Sequence, residues 1–325
     1  MAMSGIGWNG RVVVVAVSGG ADSTFLLHAC CALRRRFGHD VVVAHVDHGW
    51  RGEDSREDAR SVARSGAALR VPVHQLAVPG PLRDRANGGA EASARAIRYE
   101  FLAAVARACA AVAVLAAHTA DDQAETIILS LLRGRSIAGL AGMSEVANLP
   151  VDDAPRAVLV RPMLAIRAHP VRIALRDHGI TWREDVSNDD RSRARNRVRH
   201  EVLPALEAIS PGFGKAMTRA ARDVWAIRDM LDAGVRTAAS RWEPGANGWH
   251  IGRASWLADD PVIRLGALRE MLIRVGARVG AIEAGHLEAV GRMIVSNRGG
   301  ASRTVDRAVV TVRGGRIMVV GAAHE

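Results

Sequence analysis

The chain has 325 residues, of which 49% are hydrophobic and 24% are charged. This length suggests about two domains of roughly 150 residues each, and the apolar content excludes disorder of the whole chain. Lysine and arginine number 44 against 34 aspartate and glutamate residues, giving a formal net charge of +10 and a pI near 11.0. A chain this basic suits a polyanionic partner such as nucleic acid, although a merely soluble basic protein has the same composition.

The few lysines and cysteines in the sequence exclude several classes of catalytic and metal-binding site. Lys215 is the single lysine, so Schiff-base catalysis would depend on it alone, and the Gly-Lys-Ser/Thr sequence of a Walker A motif does not occur. The three cysteines, Cys30, Cys31 and Cys109, lack the spacing of a disulfide scaffold, a structural zinc site or a Cys-x-x-Cys redox motif.

Nothing in the sequence is typical of a membrane or secreted protein. The N-terminal residues contain no apolar segment like that of a signal peptide. The most apolar stretch, 101–117, is interrupted by Arg107 and is short for a membrane span. We therefore expect a cytoplasmic protein with no membrane partner.

Short β-branched runs alternate with helical patterns over the first 133 residues. Residues 12–17 form a continuous apolar run, typical of a strand buried on both faces, and the helical pattern that follows ends at Gly38. Such alternation predicts βαβ units, a parallel sheet and an α/β fold. Further strands are predicted at 41–44, 71–76 and 111–117, and further helices at 53–68, 91–110 and 121–133.

The C-terminal part has a different character. We predict a catalytic domain over residues 1–208 and a second, mainly helical domain over 209–325. Helical periodicity covers 215–239 and 261–295. Two apolar runs on either side of the sequence Arg-Gly-Gly at 313–315 predict a β-hairpin near the C-terminus.

The sequence Ser-Gly-Gly-Ala-Asp-Ser at 18–23 lies between the first strand and the first helix. Its glycines allow close approach to a ligand, and free N–H groups at a helix start favour an anion such as phosphate. Asp22 is a carboxylate among phosphates, which makes chemical sense if a cation such as Mg²⁺ lies between them. The alternative is a tight Gly-Gly turn in which Ser or Asp caps the helix.

This loop resembles the PP-loop of the ATP pyrophosphatases, which split ATP between its α- and β-phosphates. The resemblance implies a doubly wound parallel sheet of the PP-loop type. It also implies that ATP binds to the loop, with the leaving pyrophosphate held by Ser18, Gly19, Gly20, Ala21, Asp22 and Ser23.

Further motifs, taken in order, resemble those of the tRNA(Ile)-lysidine synthetases over about residues 11–206. They are His45–Gly52, Glu91–Tyr99, His118–Thr126, Leu131–Gly134, Trp182–Asp185, Ser187–Asn188 and Arg195–His200.

Members of this family join free L-lysine to C2 of the wobble cytidine in the CAU anticodon of tRNA(Ile), using ATP. The resemblance implies catalytic roles for Asp22, Arg98, Asp122, Glu125 and Arg197, with Asp22 and Asp122 holding Mg²⁺. It also implies that the second domain binds tRNA, and it is compatible with a homodimer.

The spacing of the residues after the fourth strand supports part of this assignment independently. Thr119 and Asp122 are placed like a helix N-cap and its partner, and Asp122 and Glu125 share one helical face. Paired carboxylates at the carboxyl end of a strand suit Mg²⁺ binding, general-base work or an ammonium group. A capping Asp with a surface Glu is the plainer alternative.

Arginines are concentrated in two places. Arg95 and Arg98 lie near a helix start, where a basic side chain is easier to understand if it faces an anion, and a pair of solvated arginines is the plainer alternative. A second run places arginines at alternate positions, and in a helix Arg195 and Arg199 would share a face while Arg197 pointed elsewhere. Phosphate contacts explain such density, and a solvated surface is the plainer alternative. The run consists of Arg191, Arg193, Arg195, Arg197 and Arg199.

Two rival functions follow from the same fold. A sulfur-transferring PP-loop enzyme would need a persulfide-forming cysteine or an iron–sulfur cluster, for which the cysteines are not suitably arranged. A non-catalytic nucleotide-binding or RNA-binding protein would have no need of Asp22, Asp122 and Glu125.

Overall fold

The computed structural model describes residues 7–50, 52–78, 89–133, 140–151, 156–184, 191, 194–296 and 299–322. The chain forms two compact units, one up to Val224 and the other from Trp225 onwards.

Strands and helices alternate through the first unit, as the sequence predicts. Its strands are β1 (Val12–Ala16), β2 (Asp40–Asp47), β3 (Val73–Ala77), β4 (Ala113–Leu115), β5 (Val146–Asn148) and β6 (Val158–Val160). Its helices are α1 (Ala21–Phe37), α2 (Glu53–Leu69), α3 (Gly89–Ala108), α4 (Ala120–Leu132), α5 (Ala168–Asp177), α6 (Ala194–Arg197, continuing as a π-helical turn over Val198–Val202) and α7 (Leu203–Ile209). Helix α8 (Phe213–Ala239) contains the division between the units.

The strands form a six-stranded sheet in the order β3-β2-β1-β4-β6-β5. All neighbouring pairs are parallel except β5 and β6, which are antiparallel. The chain runs from β1 outwards to β3 and then returns to place β4 on the other side of β1. The strand order therefore reverses between β1 and β4, and ligands bind at such a switch point in open α/β sheets.

Apolar side chains cover both faces of this sheet. Val13 and Val15 face one core with Leu27 of α1, while Val14 faces another core with Leu102 of α3. This alternation explains why β1 is a continuous apolar run, since its side chains are buried on either face. The predicted doubly wound α/β fold is confirmed.

A smaller cluster places α7 and the start of α8 with the first unit. Leu203 and Phe213 pack with Ala124 and Ile128 of α4. The compact unit thus extends to Val224, beyond the division expected after residue 208.

The second unit combines helices with an antiparallel sheet in the order β7-β8-β11-β10-β9. Its core contains Trp256, Leu268, Met271 and Ile317. Its strands are β7 (Glu243–Gly245), β8 (Gly248–Gly252), β9 (Ser302–Val305), β10 (Ala308–Arg313) and β11 (Arg316–Gly321). Its helices after α8 are α9 (Arg253–Leu257), α10 (Pro261–Arg274) and α11 (Ala284–Val295), with a 3-10 turn at Val279–Ala281.

The structure departs from the sequence pattern at 261–295. The single helical segment expected there is two helices, because the chain turns at Gly276 with φ +104°. Only glycine adopts that conformation readily, so α10 ends just before it. None of the helices in the described part of the chain is both long and apolar enough to cross a membrane.

Candidate active site

The loop at residues 18–23 connects β1 to α1 at the carboxyl edge of the sheet. Gly19 has φ +94°, a backbone conformation that glycine adopts without strain. Gly20 is the N-cap of α1 and has no side chain to cap it. The first N–H groups of α1 therefore remain available to an external anion, which the positive end of the helix dipole also favours.

Hydrogen bonds within the loop fix its shape. The Ser23 hydroxyl donates to the Gly20 carbonyl oxygen at 3.0 Å and accepts from the Ser18 N–H at 3.1 Å. The Ser18 and Ser23 hydroxyl oxygens lie 3.2 Å apart. Two hydroxyl groups are thus held together in the loop.

The carboxylate of Asp22 is partly buried. Its burial, followed by the charge of Asp122, raises its pKa to about 6, with Arg172 and Arg199 acting in the opposite direction. Its Oδ1 is buried and has no hydrogen-bond partner among the described residues. A buried carboxylate oxygen without a donor is costly, so this atom is ready to accept a proton or a cation.

The raised pKa of Asp22 predicts a pH-dependent cost to stability. The folded-state pKa lies above the ordinary 3.8, so the contribution of Asp22 is most favourable below pH 3.8 and is lost as pH rises through about 6. We expect Asp22→Asn to stabilise the metal-free protein by roughly 1–2 kcal/mol at pH 8, after allowance for solvent screening. Urea unfolding with EDTA at pH 5 and pH 8 measures this, and an Asn variant that is no more stable than wild type at pH 8 would contradict it.

The start of α4 has the cap that the sequence predicts. Asp122 Oδ2 accepts the Thr119 N–H at 2.8 Å and the Thr119 hydroxyl at 2.9 Å, and Thr119 Oγ1 accepts the Asp122 N–H at 3.4 Å. This reciprocal pair satisfies backbone donors at the helix start and fixes the Asp122 side chain. Asp122 is therefore the N3 partner of the Thr119 cap, and its Oδ1 contacts other groups.

Two arginines enclose the paired carboxylates of α4. Arg195 donates to Glu125 Oε2 at 2.7 Å and to Asp122 Oδ1 at 3.1 Å. Arg199 donates to Glu125 Oε1 at 2.5 Å and to Asp122 Oδ1 at 3.2 Å. The two arginines are four residues apart on the helical segment that begins with α6, so they share the face that meets α4.

Charge balance explains why this cluster is stable. The Glu125 side chain is 0% exposed, so its charge needs direct partners, and both of its oxygens have one. Burial alone would raise the pKa of Asp122, but the Thr119 N–H and the positive charge of Arg195 hold that pKa below its usual range. The cluster is therefore a fixed array of two carboxylates and two guanidinium groups beside Asp22.

Burial disfavours the charged form of the histidines at the same edge of the sheet. Burial lowers the pKa of His48 and of His118 to about 4 and also lowers that of His45. His45 Nδ1 contacts the Val17 carbonyl oxygen at 2.8 Å. His45 Nε2, His48 Nδ1 and His118 Nδ1 are buried atoms without a hydrogen-bond partner among the described residues. Neutral imidazoles at these positions suit ligand contacts better than proton donation.

The arginines of α3 lie near these histidines. Arg98 Nη2 is 3.4 Å from His48 Nε2, and the positive charge of Arg98 also lowers the pKa of His48. The Arg95 guanidinium lies 5.0 Å from the centre of the Tyr99 ring. Arg98 is thus associated with His48, just after the end of β2.

The structure does not bring Arg197 into the cluster. Its guanidinium lies 3.4 Å from Glu201, and its side chain is 63% exposed. This matches the expectation that Arg195 and Arg199 share a face while Arg197 points elsewhere. Several motif positions lie outside the described residues, namely Arg51, Gly134, Asp185, Ser187, Asn188 and Arg193.

Two polar contacts around the site were not predicted from the sequence. Asp121 binds the Arg167 guanidinium at 2.7 Å and the Ala168 N–H at 2.7 Å, which ties α4 to the start of α5. Arg183 binds Asp58 of α2 at 3.0 Å. The sequence motif that contains Arg183 has no spacing that identifies a partner so distant in the chain.

Comparison with known proteins places these features in a family. A family model of the PP-loop domain matches residues 7–206. A tRNA(Ile)-lysidine synthase of Salinispora arenicola is 36% identical over 310 residues, covering 95% of this chain and 90% of that protein. One of Treponema pallidum is 35% identical over 283 residues, covering 81% of this chain but only 56% of that protein. The chain thus spans little more than half the length of some relatives.

A solved structure agrees on the fold alone. The U34-tRNA thiolase NcsA of Methanococcus maripaludis, determined with its [4Fe-4S] cluster, superposes with a TM-score of 0.54 at 15% identity. The superposition covers 68% of this chain and 73% of the thiolase. The loop between β1 and α1, the doubly wound sheet and the sequence matches together lead to one conclusion: this chain belongs to the tRNA(Ile)-lysidine synthase family of PP-loop proteins.

Proposed function

We propose that the protein ligates free L-lysine to C2 of the wobble cytidine of tRNA(Ile) with a CAU anticodon, at the expense of ATP. The cytidine carbonyl oxygen attacks the α-phosphate of ATP, which gives an adenylated cytidine and pyrophosphate. The lysine amine then attacks C2 and expels AMP. The observation that carries this proposal is the position of the phosphate-binding loop beside the cluster of Asp122, Glu125, Arg195 and Arg199.

The loop at 18–23 is assigned to the leaving pyrophosphate. Its uncapped helix start supplies neutral N–H donors for phosphate oxygens, and the Ser18 hydroxyl lies in the same loop. These donors are fixed before the ligand arrives, so little reorganisation is needed as charge develops on the leaving group.

The residues present also fit a Mg²⁺ ion. Asp22 Oδ1 is a buried acceptor without a donor among the described residues, and burial, followed by the charge of the neighbouring Asp122, raises the Asp22 pKa. The described residues contain no group of three or more side chains suited to cage a metal. Mg²⁺ commonly takes one or two protein carboxylates and completes its shell with water and substrate phosphates. Asp22, with Asp122 adjoining it, would hold the ion, and bound Mg²⁺ would neutralise phosphate charge.

Arg195 and Arg199 are assigned to the α-phosphate. Guanidinium groups match phosphate oxygens in geometry and keep their charge at all physiological pH values. Asp122 and Glu125 hold both guanidinium groups in place, and Arg199 is close enough to influence the Asp22 pKa. In this arrangement the carboxylates position the arginines, and the arginines stabilise the charge of the transition state.

A base for lysine is the remaining requirement, since only a neutral amine attacks C2. The sequence suggests that Asp122 or Glu125 serves as base or ammonium anchor. In this structure every oxygen of the two carboxylates already accepts a hydrogen bond from Thr119, Arg195 or Arg199. A role on lysine, like the catalytic roles of Arg98 and Arg197, stays a prediction from the sequence.

The position of the cysteines disfavours sulfur transfer as the alternative. Cys30 lies well along α1, and burial raises the pKa of its thiol to about 12. Cys109 follows α3, and its Sγ lies 3.9 Å from His74 Nε2. His74 is near the start of β3, so this thiol lies at the amino-terminal end of the strands, whereas the loop lies at their carboxyl end. None of these thiols lies beside Asp22.

Removal of all three cysteines is therefore expected to spare the reaction. A variant with Cys30→Ala, Cys31→Ser and Cys109→Ser should modify tRNA within about twofold of the wild-type rate per folded protein, because no thiolate step is involved. Circular dichroism checks folding, since Cys30 is part of the core. Loss of modification by a folded triple variant would revive the sulfur-transfer hypothesis.

The proposal is tested by pyrophosphate release. We expect ATP to be converted to AMP and pyrophosphate when a CAU-anticodon tRNA(Ile) transcript and lysine are present, and not when tRNA is omitted. A non-catalytic nucleotide-binding protein would release none under either condition.

Three expectations from the sequence stay predictions. They are the docking of tRNA on residues 209–325, a homodimer and a cytoplasmic location.

A further inference from the structure

Arg183 contacts the phosphate-binding loop from a segment distant in sequence. It lies in residues 181–184, which have no regular secondary structure. Its backbone N–H donates to the Gly19 carbonyl oxygen at 3.0 Å. The same oxygen lies 3.4 Å from the Thr24 hydroxyl. The orientation of the Gly19–Gly20 peptide thus depends partly on Arg183.

The side chain of Arg183 anchors this segment to α2. Its Nε donates to Asp58 Oδ1 at 3.0 Å, and its Nη2 lies 3.6 Å from Asp54 Oδ1. The Asp58 side chain is only 6% exposed, whereas that of Asp54 is 67% exposed. Since a buried charge depends on its partner far more than a surface charge does, the contact with Asp58 is the anchor.

Helix α2 also packs directly on the loop. A Cβ placed on Gly19 would lie 3.8 Å from Asp58 Cβ and 3.8 Å from Val62 Cγ2. The turn of α2 that contains Asp58 and Val62 therefore binds the Arg183 side chain and also packs against Gly19. Asp58 thus contacts both the Arg183 side chain and the backbone of the loop.

Peptide geometry shows what this contact controls. In a trans peptide the carbonyl of one residue and the N–H of the next point in opposite directions. Holding the Gly19 carbonyl towards Arg183 therefore directs the Gly20 N–H away from Arg183, where it lies 3.4 Å from Ser18 Oγ. Glycine with φ +94° offers little steric resistance to rotation of this peptide, so an external restraint matters.

We propose that Arg183 is a positioning residue for the pyrophosphate part of ATP: anchored on Asp58, it fixes the Gly19–Gly20 peptide, and with it the contact of the Gly20 N–H with Ser18 Oγ, in the loop shape that receives the phosphates. This inference rests on the proposed function, because it requires ATP at the loop. It concerns the β- and γ-phosphates and leaves contacts to the adenosine part unchanged.

Calorimetric titration of the full chain tests the proposal with Mg²⁺-ATP, Mg²⁺-pyrophosphate and AMP as separate ligands. Arg183→Ala is expected to bind ATP and pyrophosphate about tenfold more weakly, the scale of one lost hydrogen bond to a charged group, and to bind AMP as wild type does. Arg183→Lys should recover part of the affinity, since an ammonium group still pairs with Asp58. Asp58→Asn should resemble Arg183→Ala, and Arg60→Ala, which removes a surface arginine of the same helix, should have no effect.

The outcomes separate this inference from the function on which it rests. Unchanged pyrophosphate affinity in Arg183→Ala would overturn it, and so would an equal loss of AMP affinity, which signals general damage. If Arg183→Ala does not fold, Arg183→Lys and Asp58→Asn decide by the same criterion. Failure of the wild type to bind ATP would instead overturn the proposed function.

Discussion

Replacing Asp22 by Asn is expected to reduce tRNA-dependent pyrophosphate release by about 100-fold or more, since one group supporting charge at a reacting centre commonly contributes that much. Asn keeps the size of the side chain but loses the charge that would hold Mg²⁺ at the buried Oδ1. The rate is measured at saturating ATP and tRNA over a range of Mg²⁺ concentrations. More Mg²⁺ should not restore the wild-type rate.

A matched control separates this effect from the loss of a carboxylate in general. Asp40 lies at the amino-terminal end of β2, away from the loop at 18–23. There it pairs with Arg34 on the surface. Asp40→Asn should release pyrophosphate at the wild-type rate. If folded Asp22→Asn does the same, the assignment of this loop to ATP is wrong.

Replacing Arg199 by Ala is expected to lower the single-turnover rate at saturating substrates by about 100-fold, because a fixed cation beside the α-phosphate is lost. The variant also leaves the buried Glu125 with Arg195 as its remaining guanidinium partner, so stability should fall by about 2–3 kcal/mol. Arg199→Lys keeps the charge and should lose less stability but still react slowly, since an ammonium group does not reproduce the planar fork through which Arg199 contacts Glu125 and Asp122. Urea unfolding and rapid-quench assays measure the two effects separately.

Two further arginine variants make this result specific. Arg64→Ala removes an exposed arginine of α2 that contacts Glu57, and it should react as the wild type does. Arg197→Ala distinguishes the sequence-based assignment from the geometric one. A larger rate loss for Arg197→Ala than for Arg199→Ala would contradict the assignment of the α-phosphate to Arg195 and Arg199.

Local features of the fold were predictable because short-range chemistry determines them. The continuous apolar run of β1, the left-handed Gly38 that ends α1, and the Thr119–Asp122 cap each depend on residues within a few positions. The shared face of Arg195 and Arg199 follows from helical periodicity alone.

Long-range features were not predictable in the same way. Nothing local shows that Glu125 is fully buried or that Arg195 and Arg199 bind it, because that contact depends on how α6 packs on α4. The pairing of β5 with β6 was likewise hidden, since strands of three residues give almost no periodic signal. The additional strands β7, β8 and β9 of the second unit, which have three to five residues each, were not predicted either.

Incorporation of labelled L-lysine into a tRNA(Ile) transcript with a CAU anticodon tests the central claim most directly. With ATP and Mg²⁺, the label should enter at the wobble cytidine alone, with AMP and pyrophosphate released in equal amount. A transcript with uridine at that position should accept no lysine. Label at any other nucleotide, or pyrophosphate release without lysine transfer to the wobble cytidine, would contradict the proposed function.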